Sequence, residues 1–251
     1  MSIWTSKPYL LAGALALSGC GGLGPYIGET TSPAPGQVAV TSDRVVVTGP
    51  DGFCVDPTAT RDSGVTAFVL MGNCAAISNS RRAPQPIMPA VLTASISEPS
   101  DGGSLRDSIP ELDAFFRSDE GLGLLSRSQD PATVTILDSF HQGDIYFLHA
   151  RDSSEGSVEG VGADYWRAYM DVDARIATLS VLAPDGQEMS EEASLTTLRN
   201  FASAITAANS GDGTFVADPI APLPPPMPVT TPRPQPSGAL WNVGLFRRIL
   251  G

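Results

Sequence analysis

From Val38 onward the chain alternates short β-branched apolar runs with turn formers, and only two stretches change to helical spacing. Val38, Val40 and Val45-Val46-Val47 predict strands, and Pro50-Asp51-Gly52 predicts a turn before the apolar Phe53-Cys54-Val55. Val65 to Met71 is apolar, β-rich and too short for a helix. After the Pro-interrupted connector 79–89, Ala90 to Ile96 resumes a strand. Thr133 to Phe140 and Ile145 to His149 flank His141-Gln142-Gly143-Asp144 and predict a β-hairpin. Residues 153–163 have loop composition, and Tyr165 to Leu182 carries one or two further strands with a bend at Ala174-Arg175.

The first helical stretch opens on Ser108-Ile109-Pro110-Glu111, which matches a capping box, and continues with Ile109, Leu112, Phe115 and Phe116 at helical spacing. The second has Ser190 as its N-cap and Glu191 and Glu192 at the positive end of the dipole. Leu195, Leu198, Ala202 and Ile205 then form one apolar stripe with Phe201 beside it, and Asn209-Ser210-Gly211 ends it. The reading is one α+β domain over residues 37–211, with an antiparallel sheet of roughly six strands packed against two main helices. The Pro50-Asp51-Gly52-Phe53 turn and the closing helix near 190–208 give residues 40–209 an order of elements similar to the Mog1/PsbP-like fold. That resemblance implies binding and assembly rather than a particular reaction.

Both ends of the chain depart from this pattern. Lys7 precedes an apolar run from Tyr9 to Leu17, far shorter than the roughly 20 residues needed to span a bilayer, so residues 1–19 read as a signal peptide. The run closes on Leu17-Ser18-Gly19-Cys20, which resembles the lipobox of bacterial lipoproteins. The resemblance implies cleavage before Cys20, a diacylglyceryl thioether on its sulfur and acylation of the new amino terminus. Gly21, in place of Asp, favours the outer over the inner membrane under the enterobacterial sorting scheme. Residues 20–36, rich in Gly, Pro, Ser and Thr, read as a flexible tether. At the other end, residues 212–238 form a Pro-rich linker that favours extended polyproline II. The apolar segment 239–251 follows, carrying Arg247 and Arg248. Its Trp241, Leu245, Phe246, Ile249 and Leu250 are candidates for docking a partner or a membrane surface; the alternative is a short segment that folds back onto the domain, or a frayed end.

Composition narrows the chemistry. The 251 residues carry a formal net charge of −12, which argues against nucleic acid as a partner. Lys7 is the sole lysine, so Schiff-base chemistry and a P-loop lysine are excluded from everything after it. Of the three cysteines, setting Cys20 aside leaves the pair Cys54 and Cys74. In an oxidising compartment a disulfide is expected, with free or metal-binding thiols as the alternative.

No Gly-x-Ser-x-Gly elbow is present, and the only imidazole bases are His141 and His149. His141 lies near Asp138, Ser139 and Asp144 at the predicted hairpin tip, where side chains are ordinarily solvated; His149 reads as a strand residue. Asp171-x-Asp173 places two carboxylates on one face of a strand, with Arg167 and Arg175 available to neutralise them. The glycines at 121, 123, 160 and 162 lack the setting of a dinucleotide site. No catalytic residue, metal ligand or cofactor is therefore assigned. The expected function is a lipid-anchored protein of the cell envelope, facing the periplasm, that acts as a non-catalytic binding or assembly factor. Its partners would be membrane lipid, through Cys20, and another envelope protein. The alternatives are a periplasmic hydrolase using His141 or dispersed carboxylates, and an envelope sensor that binds a ligand or metal.

Overall fold

The computed structural model describes residues 33–154, 161–184 and 186–211. Cys20, the Pro-rich linker and the docking candidates Trp241, Leu245, Phe246, Ile249 and Leu250 lie outside the described residues.

The chain is α+β. The first elements of the described residues are β1 (Gln37–Val40) and β2 (Val45–Thr48), a hairpin that forms a two-stranded sheet of its own. The remaining strands are β3 (Phe53–Val55), β4 (Arg61–Asp62), β5 (Ala67–Asn73), β6 (Val91–Ile96), β7 (Val134–Gln142), β8 (Ile145–Asp152), β9 (Val161–Val172) and β10 (Arg175–Pro184). They make one eight-stranded antiparallel sheet in the order β3-β5-β6-β10-β9-β8-β7, with β4 also pairing β5. The sheet exceeds the six strands expected because β3 and β4 are only three and two residues long, too short to leave an alternating pattern.

Among the described residues four α-helices accompany the strands: α1 (Cys74–Ile77), α2 (Ile109–Phe116), α3 (Asp119–Leu125) and α4 (Glu191–Asn209). Strand alternation assigns them to opposite faces. Phe147, Trp166, Ala168 and Met170 point to one face, where Leu198, Phe201, Ala202 and Ile205 of α4 pack together with Val45 and Val47 of the hairpin. Tyr146, Leu148, Ala150, Tyr165 and Tyr169 point to the other, under Leu112, Phe116 and Leu125 of α2 and α3. Burying each such large side chain stabilises the fold by roughly 1.5–3 kcal/mol.

Local chemistry sets the ends of these elements. Ser190 and Ser118 accept from the backbone N–H groups of Ala193 and Gly121 at the starts of α4 and α3. Ser108 does not cap: a 3-10 turn over Leu105–Ser108 runs into α2, and its hydroxyl makes no cap hydrogen bond. At its far end α4 is held by Asn209, whose side chain accepts from Val46 N at 2.9 Å and donates to Val46 O at 2.8 Å. The β9–β10 hairpin turns at Asp173-Ala174, one residue earlier than read from the sequence, with φ of 47° and 56° at the two positions. β9 starts at Val161, inside the segment expected to be a loop. The predicted tether joins the fold before its expected end, because the Pro35 carbonyl accepts from Val55 N at 2.8 Å.

Cys54 and Cys74 form the expected disulfide, with Cα atoms 4.8 Å apart. It ties β3 to the start of α1, where both cysteines are buried. At the preceding turn, Gly52 has φ of 86° and the Gln85–Pro86 backbone lies 2.3 Å from where its Cβ would be, so only glycine fits.

Candidate functional site

A cleft of about 410 Å³ opens where the first turn of α4 passes over the ends of β8 and β9. β8 contributes His149 and Arg151, β9 contributes Asp164 and Trp166, and α4 contributes Glu191 and Ser194. The antiparallel register creates the pairs: His149 lies directly opposite Trp166, and Arg151 opposite Asp164. The imidazole stacks on the indole, with ring centroids 4.5 Å apart and planes 9° from parallel. Arg151 donates to both carboxylate oxygens of Asp164, at 2.8 and 2.9 Å. That fork pairs the two charges with each other.

His149 is enclosed, and burial pushes its pKa below the ordinary histidine value against the opposing pull of Glu191, Asp164 and Asp138. Its Nδ1 lies 3.9 Å from Glu191 Oε1, beyond hydrogen-bond distance. Among the described residues no hydroxyl or thiol is hydrogen-bonded to the ring, so no nucleophile and base are coupled in this conformation. Trp166 is 1% exposed, and its indole Nε1 is buried without an acceptor. A buried N–H without a partner is uncommon, and its closure to solvent shows that this edge of the indole faces the interior rather than the open cleft.

The hairpin constellation around His141 is dispersed. Ser139 donates to Asp113 at 2.7 Å and Asp144 pairs with Arg106 at 3.0 Å. Asp138 and Ser139 fall on opposite faces of β7 by alternation. The pair Asp171 and Asp173 does not converge either. Asp171 accepts from Leu105 N at 2.8 Å, and its carboxyl is pushed up by burial, whereas Asp173 sits in the turn and pairs with Arg44 at 3.0 Å. The neutralising arginines also have other roles: Arg175 donates to the carbonyls of Val65 and Ser97, and Arg167 lies over the Tyr165 ring. Among the described residues no group of three or more His, Cys, Asp or Glu side chains is arranged to hold a metal ion.

Sequence reasoning singled out His149 and Glu191 but not their meeting, and it missed Trp166, Asp164 and Ser194 as a group. The signal would have been the register of β8 against β9, which depends on where β9 begins. Among the described residues no helix is long and apolar enough to cross a membrane. No protein-family model matches the chain, and no curated protein matches it.

Proposed function

We propose that this chain is a lipid-anchored protein of the cell envelope whose α+β domain binds a partner in the cleft at the start of α4. The observation that carries the binding role is a cleft of about 410 Å³ walled by the stacked His149–Trp166 pair, with the Glu191 side chain exposed at its edge and no nucleophile coupled to the imidazole. Recognition groups held in place without a coupled nucleophile suit binding better than turnover. The anchor rests on the lipobox Leu17-Ser18-Gly19-Cys20, with the outer membrane favoured by Gly21. The Cys54–Cys74 bridge suits an oxidising compartment. The turn at Pro50–Phe53 and the closing helix α4 support the likeness to Mog1/PsbP-like domains.

A second reading, a periplasmic hydrolase, is favoured by the presence of His149, Glu191 and Ser194 in the same cleft. Affinity capture from detergent-solubilised envelope separates the two. Wild-type protein is expected to retain a partner that Ser194→Trp, which fills the cleft, releases; Cys20→Ala is expected to lose membrane association and acyl labelling. Hydrolytic turnover by the wild type, lost in His149→Gln, with no partner retained, would establish the hydrolase instead.

A further inference from the structure

His149 and Glu191 belong to different walls of the cleft, strand β8 and the first turn of α4, and their facing atoms stop 3.9 Å apart. A neutral imidazole has no charge to draw the carboxylate closer. An imidazolium carries N–H on both nitrogens, so Nδ1 becomes a donor whichever tautomer the neutral ring holds. A shift of about 1 Å then makes a charge-assisted hydrogen bond. The carboxylate is the group that moves, because the Glu191 side chain is 64% exposed whereas the imidazole is enclosed and stacked on Trp166. Among the described residues Glu191 is the one carboxylate within ion-pair distance of the ring. Asp164 on β9 is held in the fork of Arg151, and Asp138 on β7 stands opposite His149 in register but farther from it. Arg151, two places along β8, opposes a positive ring.

Resting on the binding role proposed above, we infer that His149 is a proton-operated latch on the cleft: on gaining a proton it draws Glu191 onto Nδ1 and ties the first turn of α4 to β8, and on losing it the two walls part. Burial opposes the charged ring, so the latch closes in mildly acid solution, below the ordinary histidine range. Joining the walls narrows the space between them, so acid releases what the neutral cleft holds.

The full chain carrying Trp4→Phe and Trp241→Phe leaves Trp166 as the sole tryptophan, stacked on the ring that titrates. Its emission is followed from about pH 8 to pH 4, with hydrogen exchange of the α4 amides from Ser194 to Leu198 corrected for the intrinsic rate at each pH. The imidazolium is expected to quench Trp166 in one transition that His149→Gln abolishes. Glu191→Gln is expected to lower the midpoint by about half a pH unit, and Asp138→Asn by less. Below the midpoint the α4 amides are expected to slow several-fold in this protein and not in Glu191→Gln. A captured partner is expected to leave the wild type at about pH 5 but to stay on His149→Gln. The latch is overturned by the absence of a transition, by a midpoint indifferent to Glu191→Gln or moved more by Asp138→Asn, or by quenching with unchanged α4 exchange. Partner retention by the wild type in acid overturns the release. All these failures leave the binding role standing while Ser194→Trp still releases the partner; if Ser194→Trp releases none, that role fails whatever the titration shows.

Discussion

A β-carbon at position 121 would lie 2.0 Å from the Phe115 carbonyl oxygen and 2.6 Å from Phe116 Cα. Both are backbone atoms of the α2 terminus, which cannot swing aside as a side chain would. Gly121 is therefore a packing residue that lets α3 fold tightly back on α2, and its glycine has nothing to do with phosphate. Gly121→Ala is expected to destabilise the domain by about 1–3 kcal/mol, read as a lower midpoint in denaturant at unchanged slope. His149 makes a separate prediction. Its folded pKa lies below the unfolded value, so below that value the unfolded chain binds the extra proton and stability falls as pH falls. The groups facing the ring are Glu191 from α4, Asp164 from β9, Asp138 from β7 and its own neighbour Arg151 on β8. The wild type is expected to lose stability relative to His149→Gln as pH drops from about 7 to 5. Denaturant titrations at several pH values, showing parallel losses for both proteins, would remove histidine burial as the cause.

Among the elements, those with long periodic signals were legible in the sequence. Of the α4 stripe, Leu198, Ala202 and Ile205 are buried and Leu195 is half-buried at its edge, and the β7–β8 hairpin turns within the residues assigned to it. Short elements were not, because β4 contributes two exposed residues and α3 is a seven-residue helix containing two glycines. Ser108 illustrates a different failure: the right residue types occupy the capping-box spacing, but the preceding 3-10 turn leaves Ser108 at φ −112° and ψ 7°, and its hydroxyl uncoupled from the helix. The candidate site was the least legible, because His149 and Trp166 become neighbours only through strand register. The disulfide was legible once Cys20 was set aside for the lipobox, which leaves an even pair in a compartment that oxidises thiols. Replacing both Cys54 and Cys74 by Ala is expected to lower stability by roughly 3 kcal/mol, since the bridge closes a loop of 20 residues. Thermal unfolding of the double variant against the oxidised wild type measures it; equal midpoints would mean that packing around β3 suffices without the bridge.

At the scale of the whole molecule, α4 and the first hairpin share one core with β9 and β10, in which the alanines at positions 168 and 177 are 0% exposed. Small side chains there leave room for α4 to pack close to the strands. The acidic surface keeps the chain apart from anionic lipid, which leaves attachment to acyl groups in the proposed anchor. The clamp between Asn209 and Val46 joins residues 163 positions apart, whereas the Cys54–Cys74 bridge joins residues 20 apart. A chain that emerges amino end first can close the short bridge early, but its first hairpin has no helix to lie against until the last element of the domain has arrived. The β1–β2 hairpin is thus the first element of the described domain to be made and among the last to be fixed, so a pause during synthesis leaves Val45 and Val47 bare for the whole of that wait.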